Sequence, residues 1–164
     1  MKKDWDILYE TALKQLRNTE IPPFIKVGQN SCCILAKSNN AYAGVNVSSN
    51  TSLNGCAEKN AMIAMLNNGE YEIKKMVILN ELEELITPCE TCIENLLELS
   101  HENDSIEILT DLKTYKTVKL EEEIANVAEG IVLLNESGLL ELLIKAISSS
   151  LSTEISLAGI VSSR

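Results

Sequence analysis

Two short motifs restrict how this chain can fold more than any other feature: Cys56-Ala57-Glu58, and Cys89-Glu90-Thr91-Cys92, which begins thirty-one positions after Glu58. Each stands where a helix is expected to start. Ala57, Ala61, Ala64 and Met65 favour a helix from Cys56 to about Asn67, with Gly69 to close it, while Thr87 and Pro88 are start signals for a second helix running to about Ser100. A helix start exposes unpaired N–H groups and the positive end of the helix dipole, which lower thiol pKa values and hold thiolates. A fold that aims both helix starts at one spot would therefore gather three thiolates.

Three thiols suit a tetrahedral zinc ion, which takes Cys sulfur at about 2.3 Å and, with three protein ligands, leaves a fourth position open for water. A purely structural zinc prefers four closed ligands. The single histidine, His101, is a poor fourth candidate. Twelve residues of helix separate it from Cys89, about 18 Å at 1.5 Å per residue, and a solvated helix end is its simpler role. A fourth sulfur from Cys32 or Cys33 stays open, although both lie in an expected strand, pointing to opposite faces, where small buried packing residues are the simpler reading. Five cysteines cannot all pair within the chain, and without an export signal metal binding or catalysis is the better default for the spaced ones. Glu58 could merely satisfy the helix dipole. Beside an open metal site it can also move protons to and from water.

The 164 residues suit one ordinary core. A formal net charge of −10, with no basic run longer than the doublets Lys2-Lys3 and Lys74-Lys75, argues against a nucleic-acid polymer as partner and for a small molecule. Residues 1–16 read as an amphipathic helix (Trp5, Leu8, Ala12, Leu16) rather than a signal peptide, and no window has the roughly 18 apolar residues a membrane span needs, so a cytoplasmic protein is expected. Residues 18–29, with Pro22 and Pro23, read as a loop. Strands are expected at 31–37, 41–47, 74–80, 105–110 and 116–120. The expected fold is α/β, a mixed five-stranded sheet flanked by helices in an α/β/α sandwich. Residues 1–121 would form the zinc domain and 122–164 a mostly helical C-terminal extension, broken near Gly138, serving packing or self-association.

Cys-Ala-Glu followed about thirty residues later by Pro-Cys-x-x-Cys resembles the zinc-dependent cytidine deaminase family, including the related blasticidin-S deaminases. The order of elements, the Gly44-Val45-Asn46-Val47 segment and residues 113–123 are also similar, so the likeness covers roughly residues 1–121 and implies that family's fold. It implies Cys56, Cys89 and Cys92 as zinc ligands and Glu58 as the proton carrier in attack of water on C4 of a cytosine ring. It implies substrate contacts at Asn46, which matches a ribose-binding asparagine, at Ser48 and at Ala57, and assembly as a dimer or tetramer.

Four departures stand out. Ser48 replaces a glutamate that grips the sugar, and Lys59 replaces an arginine that tempers the charge of three thiolates. Ile93 and Glu94 replace an Arg-Gln pair, and a long tail replaces a short proline-aromatic ending. Phe24 is the only phenylalanine. Three readings follow: deamination of cytidine or deoxycytidine, deamination of another aminated heterocycle such as a nucleoside antibiotic, and a non-catalytic zinc-binding assembly module.

Overall fold

The structure is a computed structural model that describes residues 2–17, 19–21 and 24–125. The chain begins with α1 (Lys2–Gln15) and a short β1 (Thr19–Ile21), then pairs β2 (Ile25–Ala36) with β3 (Ala41–Ser48) across a tight turn. α2 (Ala57–Leu66) leads to β4 (Ile73–Leu79), α3 (Glu90–Leu99) and a 3-10 turn at His101–Ser105. β5 (Glu107–Asp111) and β6 (Lys116–Lys119) follow, and residues 120–125 are helical. The expected extension helices around Gly138 lie outside the described residues.

β2 is the hub of the sheet. β3 pairs along one edge, while β1 and β4 share the other, β1 against residues 25–27 and β4 against residues 31–36. All of these pairs are antiparallel. The β4–β5 pair is parallel and β5–β6 antiparallel, so the sheet is mixed. Among the described residues it has six strands, not the expected five. The difference is the stretch read as a loop: Thr19–Ile21 and the start of β2 pair as Thr19↔Val27 and Ile21↔Ile25. No period-2 apolar pattern announces them, because β1 is exposed throughout and β2 contains a bulge just beyond Val27.

Strand alternation divides the core into two layers. On one face Cys33, Val77, Leu79 and Leu109 pack against Trp5, Leu8 and Ala12 of α1. Lys75 ties the same helix down, with its Nζ 2.8 Å from Asp4 and 5.0 Å from the Trp5 ring centroid. The opposite face carries Cys32, Ile34, Met76, Ile78 and Ile108, all fully buried, with the apolar sides of α2 (Ala57, Ala61, Met65) and α3 (Cys92, Ile93, Leu96) over it. Cys32 and Cys33 thus do occupy opposite faces as buried packing residues.

α2 lies unusually close to β3. A Cβ on Gly44 would stand 2.3 Å from the Ala61 nitrogen and 2.5 Å from the Ala57 oxygen, so only glycine fits. Asn60 Nδ2 donates to the Val45 carbonyl at 2.6 Å, and Val47 and Gly55 exchange both backbone hydrogen bonds. These contacts hold the start of α2 against the end of β3.

Candidate metal centre and substrate cleft

Both thiol motifs sit at helix starts. Cys56 and Cys89 are the extended residues immediately before α2 and α3, and Cys92 lies in the first turn of α3. Thr87 and Pro88 therefore precede α3 rather than open it. The carbonyls of Cys56 and Cys89 already accept the first helical hydrogen bonds, from Asn60 and Ile93. The first-turn N–H groups have no acceptor within their own helices. The loop before α3 is held by Ile86, whose N–H donates to the Ile78 carbonyl at 3.1 Å.

The Sγ atoms of Cys56, Cys89 and Cys92 all lie within 4.8 Å of one another. Sulfurs bound tetrahedrally at about 2.3 Å stand about 3.8 Å apart, so small side-chain adjustments suffice to bind one ion. Among the described residues no histidine, carboxylate or other cysteine joins this group. His101 is exposed in the 3-10 turn, and Cys32 lies behind the site from β2, with Glu58 and Cys92 as electrostatic neighbours.

The electrostatics favour a cation. Burial pushes the Cys56 and Cys92 thiols above the ordinary cysteine range; Cys89 and the Glu58 charge push both further, while a hydrogen bond with Cys92 partly offsets this at Cys56. Three thiolates this close repel unless a positive ion lies between them, and an ion that binds there deprotonates them outright. The donor set, its spacing and the two helix starts fit zinc.

Glu58 is the only buried acidic side chain among the described residues, at 6% exposure. Burial raises its carboxyl above the usual range. It opens, with Cys56 and Cys89, onto a cleft of about 570 Å³. Asn46, Ser48 and Lys59 line the same cleft, so the structure brings most of the sequence-derived candidates together. Ala57 is the exception: its side chain is buried beneath β3, and it does not line the cleft. Ile93 is buried and Glu94 exposed, with neither on the cleft wall, and Phe24 is 65% exposed.

Sequence reasoning missed Asn30, Asn54 and Thr91, which also line the cleft. Thr91 could have been found from its place between two ligand candidates. Asn30 falls between the expected loop at 18–29 and the expected strand at 31–37, and Asn54 gives no signal of its own.

The comparisons agree with this geometry. A family profile described as the cytidine and deoxycytidylate deaminase zinc-binding region matches residues 4–106, well over half the chain. A cytidine deaminase of Mycoplasma genitalium is 29% identical over 96 residues, covering 57% of this chain and 74% of that protein. The crystal structure of cytidine deaminase from Mycobacterium tuberculosis is similar at a TM-score of 0.58 and 21% identity, covering 73% of this chain and 92% of that one. That from Mycobacterium leprae gives 0.57 and 21%, covering 72% and 94%. With both thiol motifs and the buried Glu58 inside the matched region, the chain belongs to the cytidine and deoxycytidylate deaminases, a family of zinc aminohydrolases that act on cytosine compounds.

Proposed function

We propose that this chain deaminates cytidine and deoxycytidine to the corresponding uracil nucleosides and ammonia. The observation that carries the reading is a buried carboxylate, Glu58, beside three clustered thiols, opening onto a cleft otherwise walled largely by neutral amides and hydroxyls. Cys56, Cys89 and Cys92 would hold the zinc ion. When bound, zinc supplies the Lewis acidity that makes water nucleophilic near neutral pH.

Glu58 moves the protons. It takes one from water as the oxygen adds to C4 and delivers it to N3. It then takes the remaining hydroxyl proton to the exocyclic amine, the C4–N bond breaks, and ammonia leaves behind a C4 carbonyl. A carboxyl raised by burial is suited to holding a proton between these two transfers. Asn46 and Ser48 contact the sugar, Ala57 contributes only through its main chain at the start of α2, and Lys59 tempers the negative charge of the thiolates.

Residues 1–121 make up the deaminase domain in this reading, which works in the cytoplasm as a dimer or tetramer. No helix among the described residues is long and apolar enough to cross a membrane. A second reading, an aminated heterocycle such as a nucleoside antibiotic, draws on Ser48, which is exposed at the end of β3 and gives a weaker sugar grip than a carboxylate.

An ammonia-release assay across cytidine, deoxycytidine, cytosine, blasticidin S and guanine tests the proposal, with Glu58→Ala run alongside. Cytidine and deoxycytidine should turn over, and the variant should lose about 10²–10⁴-fold in rate. Turnover of blasticidin S alone would move the assignment to the second reading. No turnover of any amine by zinc-loaded protein would leave a binding module.

A further inference from the structure

We propose that Asn30 is a substrate-contacting residue of this cleft, holding a sugar hydroxyl of the nucleoside jointly with Asn46. The inference rests on the cytidine reading above and assigns the acceptor half of its sugar grip.

A bulge in β2 sets the position of Asn30. Between Val27↔Val47 and Ser31↔Val45, β2 advances four residues while β3 advances two. Gly28, at φ +79°, makes that excursion possible, since a side chain there would be strained. Bulges beside functional sites re-aim side chains. This one delivers Asn30 to the cleft wall, half-buried, in company with Asn46 and Glu58.

The hydrogen bonds then separate the roles of the two amides. The Asn30 backbone N–H donates to Asn46 Oδ1 at 2.7 Å. Only the oxygen of an amide can accept, so this bond also fixes which way the Asn46 side chain faces. Asn46 keeps Nδ2 as a donor, while its Oδ1 is already engaged and has one lone pair left. A sugar hydroxyl needs a donor to its oxygen and an acceptor for its proton. The Asn30 side chain makes no hydrogen bond among the described residues, so its Oδ1 is the cleft's unengaged amide acceptor beside Asn46. Ser48, exposed at the strand end, is a weaker source of one.

The spacing agrees. Cys32, an electrostatic neighbour of Glu58, lies two residues further along β2. Two strand residues span about 7 Å, comparable to the reach from C4 of a pyrimidine across its ring to the sugar hydroxyls.

The test compares cytidine with 2′,3′-dideoxycytidine as substrates, and uridine with 2′,3′-dideoxyuridine as calorimetric ligands, in wild type, Asn30→Ala and Asn30→Asp. Asn30→Ala keeps the backbone donor to Asn46. It should raise KM for cytidine and Kd for uridine by about tenfold, the effect of one hydrogen bond, with kcat changed little. The dideoxy compounds should be almost unaffected. Asn30→Asp, which retains the acceptor, should bind uridine at least as well as wild type.

Equal losses on hydroxylated and dideoxy compounds would show that Asn30 acts through the backbone, and would overturn the assignment, as would no loss at all. If Asn30→Ala fails to fold, failure of Asn30→Asp to retain uridine binding has the same force. A wild type that neither deaminates cytidine nor binds uridine overturns the cytidine reading and this inference together. A wild type active on cytidine, with variants blind to the sugar hydroxyls, overturns this inference alone.

Discussion

Cys92 differs from its two partner thiols in being almost fully buried, at 1% exposure, whereas Cys56 and Cys89 are exposed. An unliganded thiol there is held protonated by burial and by the Glu58 charge. Its conversion to a ligand therefore depends on a cation, and binding that requires the folded arrangement stabilises it by mass action. Zinc removal by a strong chelator should lower Tm by several degrees, and added zinc should restore it. Cys92→Ser should drop zinc content from about one per chain to near zero and abolish the zinc-dependent shift in Tm. Metal analysis and a thermal melt of the same samples check both statements. A Cys92→Ser protein that still binds zinc stoichiometrically would remove Cys92 from the ligand set.

At the scale of the element, the site depends on how near α2 comes to β3. Gly44 pairs with Cys32 in the sheet and lies beneath the Ala57–Ala61 turn of the helix. The atoms that a new Cβ would meet at 2.3 and 2.5 Å are backbone, so no side-chain rotation relieves the clash. Gly44→Ala should therefore lift the first turn of α2, destabilise the fold by about 3 kcal/mol or more, and weaken zinc binding because Cys56 caps that turn. Denaturant unfolding and zinc titration measure the two effects. A variant with unchanged stability would mean that the helix start has more freedom than this packing allows. The bulge in β2 makes the complementary point. Helix starts deliver the thiols, whereas a strand irregularity delivers Asn30.

Over the whole molecule, α1 closes the face of the sheet away from the site, and the ionic tie between Asp4 and Lys75 is directional in pH. The Lys75 hydrogen bond and charge hold the Asp4 carboxyl below the usual carboxylate range. A carboxyl depressed in the folded state adds stability above its unfolded pKa, and that contribution is lost as pH falls through the folded value. Wild-type Tm should decline as pH drops from about 5 toward 3, and Asp4→Asn should make that decline shallower while lowering Tm slightly at neutral pH. Melts across this range decide it, and parallel curves would show that the pair contributes nothing. The effect should be small, since Asp4 is partly exposed and salt screens it.

The separate legibility of these features follows from the range over which each is encoded. The thiol motifs, Glu58 and the apolar periodicities of α1, α2, β4 and α3 are local, and they were enough to anticipate a mixed sheet flanked by helices and a three-thiol group at two helix starts. Helix propensity and strand alternation act within a few residues, so they leave a readable pattern. The sixth strand, the register change after Val27 and the placing of Asn30 beside Asn46 left none. Each depends on a partner strand that neighbouring residues do not specify. Burial of Glu58 was likewise a tertiary outcome: the residue was legible from its motif, but its raised carboxyl depends on packing against the sheet. Sequence by itself determined which atoms can do chemistry here, because those are covalent facts of short motifs. Tertiary structure decided which amides face them across the cleft, because that depends on strand register and on the one glycine thin enough to let a helix touch a sheet.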